Sequence, residues 1–159
     1  MNLRRAATLV AAVCLSLVAA AAWAAPERMA IYMTVAGPLE VIRDGGSSSI
    51  TLNGRPIHQA PGAALTAQSY MSVGEPADGY DAMLIRHGVG DTSCPITYDL
   101  VTVGADKTYA VTPDVNKCSR VLNINVEGDK LLLVTEKQNG RTEVIEYNDK
   151  QRRGAAAKP

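Results

Sequence analysis

Short apolar and β-branched runs, broken every few residues by turn-forming pairs, constrain this chain more than any other feature. Asn53-Gly54 and Asn139-Gly140 combine residues that tolerate positive φ, the backbone state of a tight hairpin, and Gly128-Asp129 offers a third turn. Residues 121–126 alternate, with Leu122, Ile124 and Val126 on one side and Val121, Asn123 and Asn125 on the other. A period of two means a strand with one dry and one wet face. Residues 131–134 follow, apolar on both faces, and residues 142–147 return after Asn139-Gly140, making a three-stranded meander. A two-residue turn at Gly128-Asp129 pairs Leu131 with Val126 and Leu133 with Ile124. A two-residue turn at Asn139-Gly140 pairs Val134 with Ile145 and Leu132 with Tyr147. The two hairpins then use opposite faces of the middle strand, which requires either burial on both sides or a β-bulge that resets the faces.

The same rhythm holds upstream. Residues 30–35, 39–42, 49–52 and 55–58 read as short strands, split by Gly37-Pro38 and by Asp44-Gly45-Gly46-Ser47. In residues 60–72, Pro61 suits a helix start while Leu65, Ala67, Ser69 and Met71 alternate, so the segment reads as loop and then strand. After a turn cluster at residues 75–79, strands are expected at 82–86, 96–103 and 108–111. About ten short strands imply an all-β fold, either an antiparallel β-sandwich or a small β-barrel.

The N-terminus reads as an export signal. Arg4 and Arg5 precede an apolar run over residues 6–22, closed by the small-residue pattern Ala22-Trp23-Ala24. Residues 1–24 are therefore expected to be a signal peptide, residues 25–150 one β domain, and residues 151–159 a disordered tail with Arg152-Arg153 solvated. Cys14 leaves with the signal. Removing Arg4 and Arg5 from 16 basic against 16 acidic residues leaves a net charge of −2. Near-neutral, evenly scattered charge points away from nucleic acid and from a membrane surface, and no second run is long enough to span a bilayer.

Two cysteines remain, Cys94 and Cys118. An even pair in a small exported domain is expected to form a disulfide, closing a loop of about 24 residues. Zinc is the competing reading, but two cysteines so widely spaced, with only His58 and His87 to help, make no recognisable zinc pattern. No metal or cofactor is expected. A bridge would matter because the core lacks bulk: the chain has no Phe, and its one Trp, Trp23, belongs to the signal.

Candidate chemistry concentrates in residues 87–94, where His87, Asp91 and Ser93 stand in a glycine-bearing loop after a strand. A hydrolase needs a base within reach of its nucleophile and a group to orient that base, and no G-x-S-x-G elbow is present. Gly88 and Gly90 are explained equally well by a loop that must bend to deliver Cys94. Cys94 as a nucleophile with His87 as base requires a free thiol in an oxidising compartment. Asp91, Asp99 and Glu143 are conceivable as a carboxylate pair only because any two acids can meet in a fold.

Residues 51–119 resemble a loose group of small secreted β-rich proteins of Gram-negative bacteria with no assigned activity. The resemblance rests on Leu52-Asn53-Gly54, residues 82–85, the loop into Cys94-Pro95, Val101-Thr102-Val103, Thr112-Pro113 and Cys118-Ser119. It implies a periplasmic location and a paired Cys94 and Cys118, and carries over no functional residue. The expected function is a non-catalytic periplasmic or secreted binding module, an inhibitor or accessory of an envelope protein, with the loops at residues 59–79 and 88–93 as its surfaces. A small envelope hydrolase using His87, Asp91 and Ser93 is the first alternative, and a structural or assembly protein the second.

Overall fold

The computed structural model describes residues 25–60, 64–75, 77–88, 94, 96–116, 118–148 and 150–152. The expected signal at residues 1–24, and Asp91 and Ser93, lie outside them. No helix among the described residues is long and apolar enough to cross a membrane.

Three antiparallel sheets follow one another along the chain. The first contains β1 (Glu27–Thr34), β2 (Gly37–Asp44), β3 (Ser47–Leu52) and β4 (Arg55–Ala60). The second contains β5 (Leu65–Val73), β6 (Tyr80–Gly88), β7 (Ile96–Gly104) and β8 (Tyr109–Thr112), and the third β9 (Arg120–Glu127), β10 (Lys130–Glu136) and β11 (Thr142–Asn148). Within each sheet every strand pairs with its neighbours in sequence, so each sheet is a meander. The fold is all-β, as expected. Asn53-Gly54 forms the expected hairpin: both residues have positive φ, and Leu52 pairs with Arg55 across them.

The second sheet is central because β6 and β7 are apolar on both faces. Met83, Ile85, Val101 and Val103 pack against Leu39, Val41, Ile50 and Leu52 of the first sheet. Tyr80, Ala82, Leu84, Tyr98 and Leu100 pack against Leu131, Leu133 and Tyr147 of the third. Burying one such Leu or Val side chain is worth about 1.5–3 kcal/mol, so two modest cores replace the single bulky one that a chain without Phe cannot build. Residues 59–79 are not the loop expected of them: β5 fills most of the segment and pairs with β6 along its length.

The C-terminal meander forms with one register corrected. Leu131 faces Val126 and Leu133 faces Ile124, as expected. The second hairpin instead pairs Leu131 with Tyr147 and Leu133 with Ile145. Its turn holds three residues, Gln138 to Gly140: Lys137 N–H donates to Arg141 O at 2.9 Å, Gly140 N–H donates to Lys137 O at 2.9 Å, and Gly140 has φ +77°. A type I turn closed by a left-handed glycine is the usual three-residue solution. That extra residue puts both hairpins on one face of β10, where Leu131, Leu133 and Thr135 are buried. A bulge opposite Val134 and Thr135 leaves Leu122 as the extra residue of β9, so Val121 turns inward and Leu122 outward.

Cys94 and Cys118 form a disulfide with Cα atoms 4.9 Å apart. Buried Asn116 organises its surroundings: Oδ1 accepts from Tyr98 N–H at 3.0 Å, and Nδ2 donates to the carbonyls of Ile96 and Ser119. Arg152 corrects the expectation of a solvated tail. It is 1% exposed, donates to Thr108 Oγ1 at 2.7 Å, and lies 5.8 Å from the Tyr80 ring centroid. An arginine stem and planar head can cover apolar surface while its fork reaches polar partners, which explains why sequence polarity misplaced it.

Leu133→Ala should cost about 2–5 kcal/mol in denaturant unfolding, and Leu132→Ala clearly less. Equal costs would mean that β10 is buried on both faces. Cys94→Ser should lower stability by about 2–5 kcal/mol and free the Cys118 thiol. Two reactive thiols from this pair in the untreated protein would contradict the bridge.

Candidate functional site

Strand periodicity points polar residues into the first core at one end of the central sheet. On β6 the residues Met83, Ile85 and His87 share a face, and on β7 so do Asp99, Val101 and Val103. Ile85 stands opposite Asp99, so His87, two residues on, approaches Asp99 diagonally. His58 reaches the same carboxylate from β4, across the interface between the sheets.

Asp99 Oδ2 lies 2.6 Å from His87 Nε2 and 2.9 Å from His58 Nε2. Asp99 Oδ1 accepts the backbone N–H of Asp114 at 3.0 Å. The carboxylate is 3% exposed, and the His58 and His87 side chains 19% and 18%. Both Nε2 atoms stand at ion-pair distance from the same carboxylate oxygen. Both buried nitrogens lack a hydrogen-bond partner among the described residues. Burial alone would raise the Asp99 pKa; the two imidazoles and the Asp114 N–H outweigh it and hold the carboxyl well below the usual carboxylate range.

Of the residues expected to carry chemistry, His87 and Asp99 belong to this cluster, Asp99 only as one of three acids that could pair. Asp91 and Ser93 lie outside the described residues, and Cys94 is bonded to Cys118, which removes the thiol-nucleophile reading. Glu143 stands on β11 in another sheet, 2.5 Å from Lys137 Nζ, so it is no partner carboxylate for Asp99. Sequence spacing weighs His58 only as a helper to two cysteines and Asp99 only as one of three acids, and joins neither to His87. The available signal was a polar residue at a core-facing position of an otherwise apolar strand face, and joining β4 to β6 and β7 required the tertiary fold.

A groove of about 720 Å³ lies elsewhere, between Cys118-Ser119 and the β10–β11 turn. Its Lys137 and Glu143 pair with each other and its Asn116 is spent on backbone, so the His–Asp–His cluster is the better chemical candidate. Compared with known families, with curated proteins and with solved structures, the chain matches none.

Because the folded-state pKa of Asp99 is depressed, its contribution to stability is present above the unfolded value of about 3.9 and lost as pH falls below it. Asp99→Asn removes that contribution at every pH. The stability gap between wild type and Asp99→Asn should therefore be widest near neutrality and close on acidification, read from denaturant midpoints at a series of pH values. A gap that widens below about pH 4 would contradict the assignment.

Proposed function

We propose that the domain is an exported, periplasmic or secreted, non-catalytic binding module that docks a protein of the cell envelope on the outer face of β1. The observation that carries this reading is a stripe of exposed apolar side chains on an edge strand and the turn that follows it. Met29, Ile31, Met33 and Val35 are 42%, 50%, 70% and 48% exposed, while the alternate residues Ala30 and Tyr32 pack inward. Sheet edges are ordinarily protected by charge, bulges or coverage. Here Arg28 and its bridge to Glu40 lie toward one end, and a bulge sits between Arg28 and Ala30. Beyond them β1 presents an apolar face and, among the described residues, an outer edge that no other strand pairs, the two features by which an extended partner segment is recognised. Methionines adapt to irregular partners at little strain.

The strand is also held in place. Tyr70 on β5 donates its hydroxyl to Met33 O at 2.9 Å and stacks on Tyr32 with ring centroids 5.0 Å apart. Buried Asp81 accepts Val35 N–H at 2.7 Å and Ser72 Oγ–H at 2.6 Å. Burial, followed by the Asp81 charge, pushes the Tyr70 pKa up to about 12, so this hydroxyl stays a donor at physiological pH. A preorganised edge reduces the ordering cost of association.

The alternative of a hydrolase built on His87, Asp91 and Ser93 is supported by one feature. Asp99 beside His87 is the kind of carboxylate that orients a catalytic base.

Ile31→Asp with Met33→Asp should abolish capture of a stoichiometric partner from envelope extract while changing stability by no more than about 0.5 kcal/mol per site. Undiminished capture by this variant would place the interface elsewhere. A wild-type protein that captures only further copies of itself would transfer the stripe to an assembly role.

A further inference from the structure

His58, His87 and Asp99 offer three metal-ligating atoms, all within 4.8 Å of one another, from three strands of two sheets. We infer that His58 Nε2, His87 Nε2 and Asp99 Oδ2 form a three-ligand site for a divalent first-row transition ion, with zinc and copper as the best-suited members. This inference stands independently of the docking surface on β1.

Three features support it. The first is the donor set: imidazole nitrogens suit zinc, copper, nickel and iron, whereas magnesium and calcium select oxygen. Two histidines and one carboxylate leave a fourth tetrahedral position, and the partial exposure of both rings lets water or another ligand reach it. The second is the pair of buried Nε2 atoms without a hydrogen-bond partner among the described residues. Such nitrogens are costly to bury unless something else engages them. The third is charge. The buried carboxylate of Asp99 carries a negative charge that a divalent cation held by two imidazole nitrogens would offset directly.

The geometry can be reached by side-chain adjustment. Donors about 2.0–2.2 Å from a tetrahedral ion stand about 3.3–3.5 Å apart, so the N–O separations of 2.6 and 2.9 Å must open by less than about 1 Å, while the two Nε2 atoms, within 4.8 Å of each other, settle to the same spacing. Asp114 N–H holds Oδ1 and leaves Oδ2 for the ion, the outer-shell support that ligating carboxylates commonly have. Since His58 belongs to the first sheet and the other two ligands to the second, a bound ion would tie the sheets together. Binding to the folded state alone raises its stability.

The test uses untagged, metal-stripped full-length protein titrated with Zn²⁺ alone and with Cu²⁺ alone. Calorimetry should show one ion per chain at micromolar or tighter affinity, a higher melting temperature with Zn²⁺, and no response to Mg²⁺. His87→Gln should weaken binding by about tenfold or more, and His58→Gln with His87→Gln should abolish it. The chain has only two histidines, so long-range proton–nitrogen NMR of the wild type supplies a readout that needs no variant: Zn²⁺ should shift both Nε2 resonances. Absence of saturable binding at millimolar ion, unshifted Nε2 resonances, or full affinity in a folded double variant would each overturn the site.

Discussion

Everything in this domain depends on β6 and β7 being apolar on both faces. An isolated meander buries only one face, and a sheet of small aliphatic residues with that face alone covered is marginal. Placing Met83, Ile85, Val101 and Val103 on one side and Ala82, Leu84, Tyr98 and Leu100 on the other lets the central sheet organise two cores at once. The outer sheets then need only one apolar face each. This explains how a chain without Phe closes a hydrophobic interior, and why the disulfide is anchored beside β7, where Asn116 ties Tyr98 and Ile96 to the Cys118 segment.

Much of this layout is legible in the sequence, because turn chemistry and a period of two are local properties. Asn53-Gly54 specifies a two-residue hairpin through positive φ at both positions, and the structure has one there. Asn139-Gly140 carries the same signal but is used differently, with Gln138 joining the turn and Gly140 taking the left-handed position. The choice between a two- and a three-residue turn is made by the cores. Only the longer turn puts Leu131 and Leu133 beside Tyr147 and Ile145 on the face that meets Leu84 and Leu100. A shift of one residue would turn that whole set toward solvent, so packing overrides the local preference.

The bulge at Leu122 follows the same logic. Strict alternation on β9 puts Leu122, Ile124 and Val126 on the dry side, yet Leu122 and Val126 are exposed and Val121 faces the core. An edge strand can take up an extra residue because only one neighbour constrains it. Arg152 escapes sequence reading for a related reason. Its guanidinium is buried where Tyr80, Thr108 and Asp106 meet at one end of the central sheet, and no window around Arg152 contains any of them.

The candidate site breaks the pattern instead of following it, which is why spacing did not find it. His87 and Asp99 occupy positions that alternation assigns to the core, among Met83, Ile85 and Val101, and His58 closes over them from another sheet. Apolar residues of similar volume in those three positions would cost less to bury, since desolvating a charged cluster commonly outweighs its internal attraction. The demands of folding therefore do not account for the trio. Sequences that fold well agree with themselves at every level except where a site needs otherwise, and the seam between the first two sheets is where this one disagrees.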